Sequence, residues 1–204
     1  GRRVNVEHVS ANPTGPLHIG NGRNGVIGDV LANLVAALGY DVTREYYIND
    51  AGLLVHALAQ SVEHHYFAHF GQEKPFPEDG YRGEYVRDLA VQIVQRDGPV
   101  WLARPAEERL NAFREFALGE ILAETRRTLE AFGIYYDVWF SERSLYEQGA
   151  VDRALAALRE RGLLYEQDGA VWFRSTSFGD DKDRVIIRSN GWPMYYAADI
   201  PYHL

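Results

Sequence analysis

Apolar and polar residues alternate from Val4 to Ser10 (Val4-Asn5-Val6-Glu7-His8-Val9-Ser10), the period-two pattern of a strand. Glu7 and His8 fall near its C-terminal end. A run rich in Pro and Gly, Ala11-Asn12-Pro13-Thr14-Gly15-Pro16-Leu17-His18-Ile19-Gly20, then interrupts the alternation. Beyond it the period changes. Val26, Ile27, Val30, Leu31, Leu34, Val35 and Leu38 recur at helical spacing, and Gly39 supplies a stop. The spacing predicts an amphipathic helix with these residues as its apolar stripe. Residues 41–48 (Asp41-Val42-Thr43-Arg44-Glu45-Tyr46-Tyr47-Ile48) read as a second strand. Strand, glycine-rich turn, helix and strand make a βαβ unit, whose crossover implies a parallel sheet.

The pattern that follows is mostly helical. Helices are predicted over 53–69, over 84–96 before the stop at Gly98-Pro99, and from Pro105 to near Gly133. The last of these carries Leu110, Phe113, Ala117 and Ile121 on one face. Lys74-Pro75-Phe76-Pro77 and Asp79-Gly80 mark a loop. Residues 135–140 are a third strand candidate, and 150–161 a helix closed by Gly162. Residues 163–173 read as a hairpin, because Asp168-Gly169 between alternating apolar residues favours a type I′ turn. The acidic loop at 179–183 leads to a strand at 185–188, Asn190-Gly191 turns the chain, and 193–196 reads as extended.

Composition narrows the class. With 204 residues, 46% hydrophobic and 25% charged, the chain is long and apolar enough for a packed core. No apolar stretch approaches the ~20 residues of a helical membrane span. The absence of cysteine excludes disulfides, a thiolate nucleophile and cysteine metal ligands, and makes a reducing cytoplasm the expected compartment. A net charge of −8 argues against a basic coat for nucleic acid, while leaving room for a local Arg patch. The start at Gly1, without Met or a charged-then-apolar leader, reads as a piece of a longer protein with no signal peptide.

The informative chemistry lies in the turn between the first strand and first helix. A helix N-terminus presents unpaired N–H groups and partial positive charge, which suit a phosphate. Gly20 and Gly22 allow a ligand close to the backbone, His18 and Asn21 add side-chain donors, and Pro13 and Pro16 stiffen the approach. In an open parallel sheet ligands bind beyond the carboxyl ends of the strands, where this turn lies. The residues alone support either a nucleotide-binding α/β domain or a tight structural turn.

The run Val6-Glu7-His8-Val9-Ser10-Ala11-Asn12-Pro13-Thr14-Gly15-Pro16-Leu17-His18-Ile19-Gly20-Asn21-Gly22-Arg23 resembles the signature region of class I arginyl-tRNA synthetases, including their form of the His-x-Gly-His motif. Further segments agree in order: Gly28-Asp29, Tyr46–Gly52, Tyr81-Arg82-Gly83-Glu84-Tyr85, and Ile187–Gly191 through Tyr195 and Asp199. The resemblance implies an α/β fold, the first half of a Rossmann-type parallel-sheet nucleotide-binding domain with mainly helical insertions and a small β-hairpin element. Residues 1–52, 108–142 and 185–204 would form the catalytic core, with insertions at 53–107 and 143–184. It also implies parts that lie outside these residues: an N-terminal tRNA-contacting domain, a second half with a Lys-Met-Ser-Lys-type loop, and a helical anticodon-binding domain.

Site residues carry over by motif. Glu7 matches the carboxylate that pairs with the substrate guanidinium, and Asp199 a second acid on the same cation. Two carboxylates around a planar fork select arginine over lysine. Ser10 and Asn12 join the arginine-binding set, Asn12 as the amide holding the amino acid's backbone end, and Tyr195 lines the pocket. His18, Gly20, Asn21 and Gly22 match the ATP-binding turn, with His18 and Asn21 the catalytic pair and Asn21 replacing the family's usual second His. The implied reaction is attack of the arginine carboxylate on the α-phosphate of ATP, brought in with Mg2+, then transfer of the arginyl group to tRNA. No protein-bound metal and no membrane are expected, and the 204 residues alone are expected to be inactive.

Three other features carry weaker chemistry. His56, His64, His65 and His69 crowd one predicted helix without a third ligand at a zinc spacing, which favours surface histidines. Asp180, Asp181 and Asp183 resemble a calcium loop in composition only, and Arg126-Arg127 and Arg159–Arg161 read as solvated helix faces. Two other function classes stay open on the residues. One is a non-catalytic synthetase-like module that binds nucleotide or arginine or docks to a partner; the other, a nucleotidylyltransferase, has no reason to keep Glu7, Asn12, Tyr195 and Asp199 together.

Overall fold

The computed structural model describes residues 2–204 and divides into two compact units, Gly1–Phe140 and Ser141–Leu204. The first opens with β1 (Arg3–Glu7), α1 (Ile19–Ala37) and β2 (Asp41–Ile48). β1 and β2 pair in parallel, from Arg3 opposite Asp41 to Glu7 opposite Glu45, so the crossover helix has its expected consequence. β3 (Val138–Ser141) completes a three-stranded sheet in the order β1-β2-β3. The predicted strand at 135–140 therefore begins three residues later than its apolar pattern suggested.

α1 packs differently from its sequence pattern. The stripe Val26, Ile27, Val30, Leu31, Leu34 and Leu38 is half or more exposed, and the face toward the sheet is Gly25, Gly28 and Ala32. Close approach explains the choice. A Cβ on Gly28 would sit 2.3 Å from the His8 ring, and one on Gly25 would sit 2.8 Å from Ile134. Small residues let the helix backbone settle directly on the end of β1, as in other close helix–strand contacts. The large apolar side chains are left on the outer side.

Three helices follow: α2 (Leu53–His69), α3 (Glu84–Asp97) and α4 (Ala106–Ala131). They bury one core of Leu58, Val62, Tyr66, Leu89, Ile93 and Phe113, among others. The C-terminal part of α4 belongs to a second cluster, in which Leu129 packs with Tyr46, Ile48 and Ile134 of the sheet region. One helix thus serves both layers. Within the helical core Glu63, only 5% exposed at its side chain, accepts from Arg109 Nε at 2.6 Å and pairs with Lys74 Nζ at 2.5 Å.

The second unit contains α5 (Arg143–Glu147), α6 (Ala150–Glu160), β4 (Leu164–Gln167), β5 (Ala170–Phe173), β6 (Arg184–Ile187) and α7 (Tyr195–Tyr202). β4 and β5 form the expected hairpin. Asp168 and Gly169 both have positive φ, 52° and 75°, as a type I′ turn demands. β6 adds antiparallel to β5, giving the order β4-β5-β6. The stretch expected to be extended at 193–196 is instead helical from Tyr195, after a bridge between Ile187 and Pro193.

The acidic loop is an internal salt-bridge system. Arg184 contacts Asp180 at 2.6 Å and Asp181 at 2.7 Å, and Asp183 accepts from Thr176 and Tyr165. Of the clustered histidines, His56 and His69 are exposed, whereas the half-buried His64 and His65 pack edge-on against Phe76. The surface reading fits only the first two. Among the described residues no group of three His, Cys, Asp or Glu is placed to hold a metal ion.

Candidate active site

The N-terminus of α1 is closed by its own side chains. His18 is the N-cap residue, and its Nδ1 accepts from the Gly20 amide at 3.1 Å. Asn21 returns the contact: its Oδ1 accepts from the His18 amide at 3.0 Å. This is a capping box made by His and Asn in place of the usual Ser and Glu. It also fixes the chemistry of both side chains. With Nδ1 used as an acceptor, the proton of a neutral His18 ring sits on Nε2, and with Oδ1 used as an acceptor, Asn21 has its NH2 left to donate. Two donors are therefore set at the positive end of a helix dipole. Asn21 here is a structural partner of His18 as well as a donor.

The approach to this turn is strained. Val9 and Ser10 have φ of 65° and 40°, a region that residues other than glycine seldom enter and the β-branched Val9 least of all. The Ser10 amide reaches the His8 carbonyl at 3.0 Å, a γ-turn at the end of β1. Several contacts hold it. The Val9 amide donates to Asn24 Oδ1 at 2.7 Å, and the Tyr47 amide donates to Ser10 Oγ at 3.1 Å. Tyr46 brackets Ala11, accepting from its N–H and donating to its carbonyl, both at 3.1 Å. Burial pushes the Tyr46 hydroxyl up to about 12, which keeps it protonated as that donor. His8, buried beneath Gly28, has its Nδ1 2.8 Å from the Tyr136 hydroxyl, and burial lowers its pKa.

The kink and the capped helix end face an open cavity of about 580 Å³. Ser10, Asn12, His18 and Asn21 line it, joined by Tyr85 of α3 and by Tyr81 just before that helix. Four of the sequence-derived site residues thus share one cavity. Glu7 lies exposed at the end of β1, and Gly20 and Gly22 in the first turn of α1; these three are not part of the lining. Tyr195 and Asp199 belong to the second unit, Tyr195 at the first position of α7 and 67% exposed, Asp199 one turn later on the same helix. Burial pushes the Tyr146 hydroxyl of that unit up to about 12, reinforced by the negative charges of Glu142 and Asp199.

Asn24, Tyr46 and Tyr85 support the kink and turn, and none of them is among the candidate site residues that the motifs mark. Tyr46 and Tyr85 lie inside segments that the family resemblance marked, whereas nothing in the pattern of α1 marked Asn24.

The family model for the catalytic domain of class I (R) tRNA synthetases matches residues 1–202. Curated relatives named arginine–tRNA ligase, from Desulforudis audaxviator and Bacillus subtilis, are each 53% identical over 203 residues. The chain is covered completely in both cases but spans only 36% of each relative's length. A crystal structure assigned as an arginyl-tRNA synthetase of Campylobacter jejuni matches the whole chain with a TM-score of 0.86 and 40% identity, over 44% of that protein. The Thermus thermophilus arginyl-tRNA synthetase matches with a TM-score of 0.68 and 28% identity, over 35% of its chain.

Proposed function

Because this chain belongs to the catalytic-domain family of the class I arginyl-tRNA synthetases, we propose that it is the nucleotide-binding and amino-acid-binding part of an arginine–tRNA ligase. The observation that carries this reading is the His18–Asn21 capped helix end, with its donors turned to a cavity beyond a parallel strand. Residues 1–52, 108–142 and 185–204 would make up the first half of the catalytic core, with insertions at 53–107 and 143–184. The 204 residues by themselves would not aminoacylate tRNA.

In this reading ATP arrives as its Mg2+ complex and its phosphates meet the His18 Nε2 proton, the Asn21 amide and the backbone around Gly20 and Gly22. The arginine carboxylate attacks the α-phosphate in line. A P–O bond to the amino acid forms, the α–β bridge breaks, and pyrophosphate leaves with the electron pair. No protein nucleophile is needed, so catalysis consists of placing the reactants and stabilising the charge. Asn12 and Ser10 would hold the backbone end of arginine, Tyr195 would line the pocket, and Glu7 and Asp199 would flank the guanidinium. A terminal ribose hydroxyl of tRNA then attacks the arginyl carbonyl: the ester bond forms, the bond to the adenylate phosphate breaks, and AMP leaves as the hydroxyl proton is lost. The tRNA contacts mainly other parts of the protein. In this reading its compartment is the cytoplasm. Among the described residues no helix is long and apolar enough to cross a membrane.

Glu7→Gln tests the amino-acid half of the proposal. A guanidinium that loses its charged acceptor keeps a neutral one of the same shape. Arginine binding by the complete gene product should weaken by about 1.5–3 kcal/mol, roughly 10- to 150-fold in KM, with the ATP KM unchanged. An arginine KM within twofold of wild type would remove Glu7 from the site.

A further inference from the structure

Tyr85 reaches from α3 to the turn that precedes α1. Its ring packs on the helical core of the first insertion, and its hydroxyl donates to the Thr14 carbonyl at 2.5 Å. Gly15 lies against the ring: a Cβ there would stand 3.1 Å from both Cζ and Oη of Tyr85. Ring and turn are therefore in contact as well as hydrogen-bonded. Burial pushes the Tyr85 hydroxyl up to about 12, so it remains a donor across the physiological range.

The segment bearing Tyr85 is itself anchored. The Tyr81 amide donates to Ser61 Oγ at 2.9 Å, and Ser61, fully buried on α2, donates to the Ala57 carbonyl at 2.7 Å. On the other side, Pro13 and Pro16 fix φ on either side of Thr14 and Gly15. A stretch so restricted passes a displacement on to its neighbours. The next residues are Leu17 and the cap His18.

From this geometry we propose that Tyr85 is a positioning residue for the nucleotide turn, setting Thr14 and Gly15 so that His18 meets the phosphates, and thereby making nucleotide binding depend on the folded first insertion. The inference rests on the nucleotide reading of the His18 turn given above. It assigns the insertion a part in ATP binding through the turn that Tyr85 supports.

The test compares Tyr85→Phe and Tyr85→Ala in the complete gene product, by ATP–pyrophosphate exchange with arginine tRNA present and by hydrogen exchange of the amides from Thr14 to Asn21. Tyr85→Phe keeps the ring on Gly15 and loses one hydrogen bond, so the ATP KM should rise about threefold to tenfold. Tyr85→Ala also removes the wall and should raise it at least about 30-fold, with Phe as the partial rescue. The arginine KM should stay within twofold in both. Amides of the turn should exchange at least about fivefold faster in Tyr85→Phe, while those of α2 and α4 are unchanged. Equal rises in both KM values, or an unchanged ATP KM in folded Tyr85→Ala, would overturn the inference. If the wild-type protein shows no arginine-dependent exchange, the ligase reading fails, and the turn amides decide the Tyr85 inference alone. Unaltered protection in Tyr85→Phe would then refute it.

Discussion

Replacing His18 by Ala in the complete gene product is expected to lower arginine-dependent ATP–pyrophosphate exchange by about 10²–10³-fold, the usual scale for one preorganised donor at a developing charge. Two losses combine. The Nε2 donor disappears from the phosphate site, and the Gly20 amide loses the Nδ1 acceptor that caps α1. Capping contributes about 1 kcal/mol to the helix end, too little for the whole effect. His18→Asn separates the two, because Asn is a strong N-cap with a shorter reach. Its activity should lie much nearer that of His18→Ala than that of wild type. By contrast, Asn21→His exchanges one donor for another and should change turnover by about tenfold or less. A loss below tenfold in His18→Ala would remove the donor role.

The largest expected loss of stability comes from Glu63→Leu. The carboxylate accepts from Arg109 Nε and pairs with Lys74, and the Arg109 side chain is nearly as buried as its own. Removing one member of such a pair strands the other charge in a low-dielectric interior. The expected cost is about 3–5 kcal/mol, read as a lowered denaturation midpoint in urea. Arg109 would keep its Nη1 bonds to the Trp101 and Arg104 carbonyls, which shows how much of the cost is charge rather than hydrogen bonding. A Glu63→Leu/Arg109→Met double replacement should recover much of the loss, since an apolar pair of similar volume needs no compensation. A single-variant loss under 1 kcal/mol would mean that the pair is hydrated and inconsequential.

The parts of this fold that were legible are those where local pattern and tertiary role coincide. The β1–α1–β2 unit, helix 53–69 and the Asp168-Gly169 hairpin follow from periodicity and turn chemistry, and the structure has all three. α1 departs from its sequence pattern for a physical reason. Periodicity reports where large apolar residues lie, but the sheet is met by the face with no side-chain bulk, Gly25 and Gly28. Helix amphipathicity assumes that the apolar stripe is the buried one, and close backbone packing breaks that assumption. The extended reading of 193–196 failed because Pro193 marks a strand-like bridge only one residue before the helix cap Met194.

The site shows the same division. Ser10, Asn12, His18 and Asn21 are close in sequence, and a single turn gathers them at one cavity. Their supports come from afar: Tyr46 is 35 residues from Ala11, and Tyr85 is 71 from Thr14. No pattern within the turn announces those partners. The positive φ of Val9 was equally hidden, since a β-branched residue at a strand end suggests continued extension and only tertiary contacts hold it otherwise.

The most direct measurement of the central claim is ATP–pyrophosphate exchange by the complete gene product, with arginine tRNA present and arginine or lysine as the amino acid. Exchange that requires arginine, is not supported by lysine and falls with His18→Ala is the expected result. A folded protein that binds ATP yet gives no arginine-dependent exchange with tRNA at saturation would contradict it, and would make these residues a ligand-binding relative of the ligases instead.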